Sequence, residues 1–204
     1  MLALAALTLS LQLQQTSYDL LDGVSIEVAV HNSANAPVAV AFAQPAEYRI
    51  SVLRGDRVIW SSSTAEPAGV TFPIHKHTFV QGPSVLVVYV WNTIESDGST
   101  PDPGDYTVRA QLLGQNLAPQ ATAMLHFIPP VPLAAVEKLK LGNSVTVSGT
   151  LDPTKQILTD SSGSLVLARR LITAPDEPVA VRGYLIRRPD RTLVFFVQRW
   201  APLQ

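Results

Sequence analysis

The chain has 204 residues, 47% of them hydrophobic and 15% charged, so it is long enough for one large or two small cores and too apolar for a disordered segment. It contains no cysteine, which excludes a disulfide framework, thiol catalysis and Cys-ligated zinc. The net charge of −1 hides an asymmetry. Through Pro130, 5 Lys or Arg stand against 10 Asp or Glu; beyond it 10 stand against 6, so the two parts are expected to attract one another or to face different partners.

In chain order, Met1 to Leu9 is apolar and Ala3-Leu4-Ala5 is similar to a small-residue cleavage site, yet no Lys or Arg precedes Arg49. The expectation is an extracytoplasmic or cell-envelope protein whose leader is truncated, a cytoplasmic protein being the alternative. Leu7, Leu9, Leu11 and Leu13 alternate with polar residues as a first strand would. Val24, Ile26, Val28 and Val30 repeat the pattern, followed by Val38, Val40 and Phe42. Tyr48, Ile50 and Val52 run through Arg54-Gly55-Asp56 into Val58 and Trp60, a hairpin with a Gly-containing loop. Val85 to Trp91 is apolar at both parities, which predicts a central strand or one covered by a second domain. Pro103-Gly104 turns the chain into Tyr106, Val108, Ala110 and Leu112, and Ala123, Leu125 and Phe127 complete the set. The fold predicted here is all-β, an immunoglobulin-like antiparallel sandwich of seven or more strands.

Ile128-Pro129-Pro130-Val131-Pro132 cannot continue a central ladder, because proline has no backbone donor. It divides the expected sandwich, residues 1–128, from a second domain, residues 133–204, with 129–132 as linker. Beyond a short helix over Leu133 to Leu139, five strands are expected at Ser144 to Leu151, Gln156 to Thr159, Leu165 to Ala168, Val179 to Ile186 and Leu193 to Trp200. Gly149 and Gly183 sit inside two of them, where a residue without Cβ permits a sharp bend, so an OB-like five-stranded barrel is predicted. No segment reaches the roughly 18 apolar residues of a membrane span.

The run from Gly55 through Val58, Trp60 and Ser62, the later Trp91, and Pro103-Gly104-Asp105-Tyr106-Thr107-Val108 together resemble the BsuPI-type intracellular proteinase inhibitor family over residues of about 7–128. Ile59 separates Val58 from Trp60, where the family pattern has Val and Trp adjacent. The resemblance marks Trp60, Trp91, Gly104 and Tyr106 as fold-signature residues and implies inhibition of a subtilisin-like serine protease. For that role an exposed, preorganised loop is required. The candidate is Ser63 to His77, stiffened by Pro67 and Pro73, with Phe72 and Ile74 as apolar anchors.

Among the four histidines, His75 and His77 fall on one face of an extended segment, an arrangement that copper and zinc sites use. A copper-dependent superoxide dismutase is therefore the enzyme-class alternative, with copper as its cofactor and oligomer symmetry as one way to add ligands. His31 and His126 are expected to point outward from opposite sheets. Ser61-Ser62-Ser63 lacks a nucleophile elbow, so no catalytic residue is assigned. The acidic run Glu95 to Asp105 reads as a turn. Seven arginines from Arg169 to Arg199 lie near Tyr184 and Phe196, but aromatics of the last strand belong by default to a core, and no nucleic-acid partner is expected. The leading expectation is a non-catalytic binding or structural protein of the bacterial envelope, without cofactor, whose partner is a protein: an envelope assembly, a protease or a second copy of itself.

Overall fold

The computed structural model describes residues 6–63, 72–115, 119–171 and 177–203, and among them the fold is all-β with a single four-residue helix. By residue contacts the chain divides into two compact units. The first comprises Met1–Thr16, Val24–Trp91 and Asp105–His126; the second comprises Ser17–Gly23, Asn92–Gly104 and Phe127–Gln204.

In the first unit, β1 (Leu7–Leu13), β3 (Val24–Asn32) and β8 (Gly82–Trp91) form an antiparallel sheet in the order β1-β3-β8. β2 (Ser17–Asp19) is counted with the second unit. A second sheet runs in the order β10-β9-β5-β6, from β5 (Tyr48–Arg54), β6 (Arg57–Ser61), β9 (Gly104–Leu112) and β10 (Gln120–Ile128). β4 (Val38–Phe42) pairs with β7 (His75–Phe79).

Period-two alternation explains these strands. Val24, Ile26, Val28 and Val30 are at most 1% exposed while Glu27 and His31 face water, and Tyr106, Val108, Ala110 and Leu112 are equally buried from β9. One core cluster gathers Leu7, Val30, Val38, Val40, Phe42, Phe79 and Leu112. Each such aliphatic side chain contributes roughly 1.5–3 kcal/mol on burial. Asn32 is buried among them and fully engaged, its Nδ2 donating to the carbonyls of Ala36 and Phe79 and its Oδ1 accepting from the Ala34 amide.

Two bulges correct the strict alternation. In the β5/β6 hairpin, Val52 pairs with Trp60 and Leu53 with Val58, so Ile59 is the extra residue. The bulge turns Ile59 inward at 3% exposure and leaves Val58, expected inside, 47% exposed. In β8, Val28 pairs with Val87 and Ala29 with Val85, so Leu86 is skipped and the parity flips. Val85, Val88 and Val90 consequently share the outer face at 60–63% exposure, and β8 ends its sheet instead of occupying its centre.

The second unit contains α1 (Leu133–Val136), β11 (Ser144–Asp152), β12 (Ile157–Thr159), β13 (Ser164–Val166), β14 (Pro178–Arg187) and β15 (Leu193–Pro202). The strand order is β13-β12-β11-β14-β15, and a parallel bridge from Leu167 to Phe195 closes the ring. A meander of three strands, a fourth beside the first and a fifth returning parallel to the third make an OB-like barrel. The interior is Val147, Leu151, Leu158, Leu165, Val179, Val181, Leu185, Phe195 and Val197.

Both glycine bends are sterically required. A Cβ on Gly149 would sit 2.5 Å from the carbonyl oxygen of Thr159, and one on Gly183 2.1 Å from that of Phe196, at the bulge between Arg182 and Gly183. The helix is shorter than the expected Leu133 to Leu139; it buries Leu133 and Val136 and starts after Pro132. The proline-rich stretch before it is tied down through Val131, whose amide donates to the Thr146 carbonyl at 2.8 Å.

Ser17–Gly23 and Asn92–Gly104 are further parts of this unit. Arg182 of β14 hydrogen-bonds the Asp19 carboxylate and lies 2.9 Å from that of Asp22, and Arg199 donates to the Leu21 carbonyl at 2.8 Å. Leu21 packs with Ala180, Ala201 and Leu203. In the acidic stretch, Asp97 accepts from the amide and hydroxyl of Ser99, and Thr100 donates to the Pro202 carbonyl at 3.1 Å, so this run is an ordered turn.

Candidate functional site

The histidine pair lies on regular structure. His75 and His77 belong to β7, whose register opposes Phe42 to His75 and Val40 to His77, so the last part of the expected Ser63 to His77 loop is a strand. The ladder with β4 accounts for this correction, since the β-branched and aromatic residues of Val38–Phe42 offer it a pleated template. Residues 64–71, including Pro67, lie outside the described residues. Of the two proposed anchors, Ile74 is 61% exposed immediately before β7, whereas Phe72 is half-buried.

Both imidazoles converge on Glu47, which sequence reasoning did not single out. His77 Nδ1 stands 2.8 Å from Glu47 Oε2, and His75 Nε2 stands 3.3 Å from Oε1. The rings are also stacked, His75 on Phe42 at 5.3 Å between centroids and His77 on Phe79 at 4.4 Å. A carboxylate and an aromatic face thus fix each ring's orientation. The result is a preorganised, half-exposed pair of imidazoles held by one carboxylate. Among the described residues, no group of three or more His, Asp or Glu side chains has the arrangement to hold a metal ion. His31 on β3 is exposed and His126 on β10 pairs with Asp105 at 2.8 Å, so neither joins the pair. Two imidazoles and one carboxylate fall short of the imidazole-rich set that a redox copper uses.

The fold-signature residues divide. Trp91 and Tyr106 are each 1% exposed, and Gly104 holds φ +133, a backbone conformation that suits glycine. Trp60 is less deeply placed than these two and is half-buried. The bulge at Ile59 takes the inward position and leaves Trp60 against Trp91 and Tyr89, with centroids at 5.8 and 5.3 Å.

On the second unit, two of the seven arginines are engaged internally, Arg182 with Asp19 and Asp22 and Arg199 with Leu21. Tyr184 and Phe196 form an outer cross-strand pair at 5.2 Å, with Phe196 40% exposed rather than in the core.

β8 presents a row of exposed apolar side chains. Registers place Val85, Val88 and Val90 opposite Ala29, Glu27 and Ser25 on one sheet face, which continues through Gln12, Ser10 and Thr8 of β1. The face is therefore polar at one end and apolar along the last strand.

No family model matches the chain, and no curated protein matches it. Among solved structures, it is similar to a β-glucosidase from Erythrobacter marinus (TM-score 0.36, 17% identity), covering 60% of this chain and 15% of that one. A β-glucosidase from Listeria innocua in complex with glucose aligns with TM-score 0.33 and 10% identity, over 60% of this chain and 16% of that one. The sporulation control protein Spo0M from Bacillus subtilis aligns with TM-score 0.40 and 13% identity, over 95% of this chain and 80% of that one. The chain thus spans about one sixth of the length of the β-glucosidases. Likenesses this weak leave the function to be argued from the chain's own residues.

Proposed function

We propose that this chain is a non-catalytic binding or structural protein of the bacterial cell envelope that acts through protein contacts, with β8 as its docking strand. The observation that carries the reading is the row Val85, Val88 and Val90, exposed at 60–63% on a ten-residue strand that ends its sheet. Long apolar strands at a sheet edge are templates for pairing, and proteins that do not use them blunt them with charge or proline. β8 has one proline, Pro83, near its start and no charged residue along its length. A partner strand added here gains ladder hydrogen bonds from the backbone and apolar contact from the valines. Purification of the native protein with its companions, followed by mass spectrometry, tests the reading. Recovery of an envelope protein in stoichiometric amount supports it, and recovery of the protein alone from mildly solubilised cells argues against it.

A second reading, inhibition of a subtilisin-like serine protease, is favoured by Ile74, exposed at the point where the chain enters the β7 ladder. It requires that the wild type inhibit such a protease and that changing Phe72 and Ile74 to Ala weaken inhibition. Absence of inhibition across a panel that includes the host's own enzymes removes it.

A further inference from the structure

The outer face of the β10-β9-β5-β6 sheet carries a recess of about 260 Å³ whose polar lining is Arg49, Ser51, Ser61, Ser63, Arg109 and Gln111, with the apolar Val58 beside them. The register explains how these residues meet. Arg49 opposes Gln111, Ser51 opposes Arg109, and Ser51 opposes Ser61 on the other side, so three adjacent strands contribute to one patch. Their neighbours Ile50, Val52, Val108 and Ala110 point into the core. The two arginines are therefore diagonal neighbours on one face, above a floor of small hydroxyl residues.

None of the described residues lining the recess is acidic. Among the described residues, Arg49 donates from its Nε to Ser63 Oγ at 3.1 Å, and Arg109 has no ion-pair or side-chain hydrogen-bond partner. Ser61 Oγ is buried and has no hydrogen-bond partner among the described residues. Two guanidinium groups held close without counter-charge repel one another, and an orphaned buried hydroxyl is destabilising, so each feature alone is unfavourable. A ligand in the recess relieves the first of these directly. An anion with acceptor oxygens accepts from the guanidinium forks and from the hydroxyls together.

We propose that this recess binds a tetrahedral oxyanion, a phosphate or sulfate group. Donors approach from β5, β9 and β6, three directions that suit a tetrahedral group better than a planar carboxylate. The site is independent of the β8 docking surface, and its failure leaves that reading intact.

The test is an NMR titration of the isotopically labelled full chain with inorganic phosphate, and separately with sulfate, at ionic strength held constant with chloride. Saturable shifts are expected at the amides of Ser51, Ser61 and Arg109. Affinity should fall at least tenfold in Arg109→Gln and in Arg49→Gln, and stay within twofold in Lys76→Gln, which removes a positive charge elsewhere in the same unit. The dispersion of the spectra reports whether each variant is folded. Should Arg109→Gln not fold, Arg109→Lys serves in its place: it keeps the charge, loses the planar fork and should also bind more weakly. Comparing inorganic phosphate with a phosphoserine peptide separates the sources, tighter binding of the peptide indicating a phosphorylated partner and equal binding a free ion. No saturable response to either anion, or equal affinity in the wild type and the folded Arg109 variant, overturns the proposal.

Discussion

The guanidinium of Arg182 on β14 lies 2.9 Å from the Asp22 carboxylate and also hydrogen-bonds Asp19, so one arginine fastens an early segment of the chain onto the strands of the second unit. All three side chains are between 18% and 27% exposed, which leaves their interaction only partly screened by water. Removing the arginine strands two carboxylates.

Arg182→Ala is therefore expected to destabilise the protein by roughly 2–4 kcal/mol, because a largely desolvated ion pair costs more broken than it contributes when made. Adding Asp19→Asn and Asp22→Asn to the same variant should recover part of the loss. Chemical denaturation of the single and triple variants checks this, and a triple variant no better than the single one would show that packing rather than charge is responsible.

Trp91→Ala should cost about 3–5 kcal/mol, as expected for truncating a fully buried aromatic. Trp60→Ala should cost clearly less, since its ring is half-buried and bears on Trp91 from the side. Equal losses in the two variants would contradict the inward placement of Ile59 at the hairpin bulge.

Asp160 supplies a pH-dependent contribution. Its carboxylate accepts from the Leu133 amide and from the Ser162 hydroxyl and amide, and these bonds hold its pKa at about 2, below the usual 3.8. A carboxyl group whose folded pKa is depressed stabilises the fold above its unfolded pKa, and that contribution disappears as pH falls through the folded value. Asp160→Asn should thus lower the melting temperature at neutral pH. The gap to the wild type should close between about pH 4 and about pH 2. A gap that persists unchanged to pH 2 would assign the loss to geometry alone.

The strict alternation of Val24 to Val30 and of Tyr106 to Leu112 made the sandwich strands legible, because one buried face imposes a period of two. In the same way, Gly149 and Gly183 showed where the barrel bends, since only a residue without Cβ fits those approaches. The bulges were not legible. A single skipped residue at Leu86 leaves no mark in a run apolar at both parities, and it decides that Val85, Val88 and Val90 face outward. The role of Glu47 was equally hidden, because its partners His75 and His77 lie 28 and 30 positions later, on a strand whose pairing with β4 no local pattern announces. The second unit's claim on Ser17–Gly23 rests on long-range contacts such as Arg182 with Asp22, which no local pattern announces.

The claim that β8 is a docking strand is tested most directly by a photoreactive amino acid placed at Val88 and, in a separate variant, at Thr8 at the polar end of the same sheet face. Both variants are expressed in the native host and irradiated, and the adducts are identified by mass spectrometry. The account predicts one dominant protein adduct from position 88, absent from position 8 and lost when Val85 and Val90 are both changed to Lys. Equal adducts from both positions, or none from position 88 in a folded protein at native abundance, would contradict it.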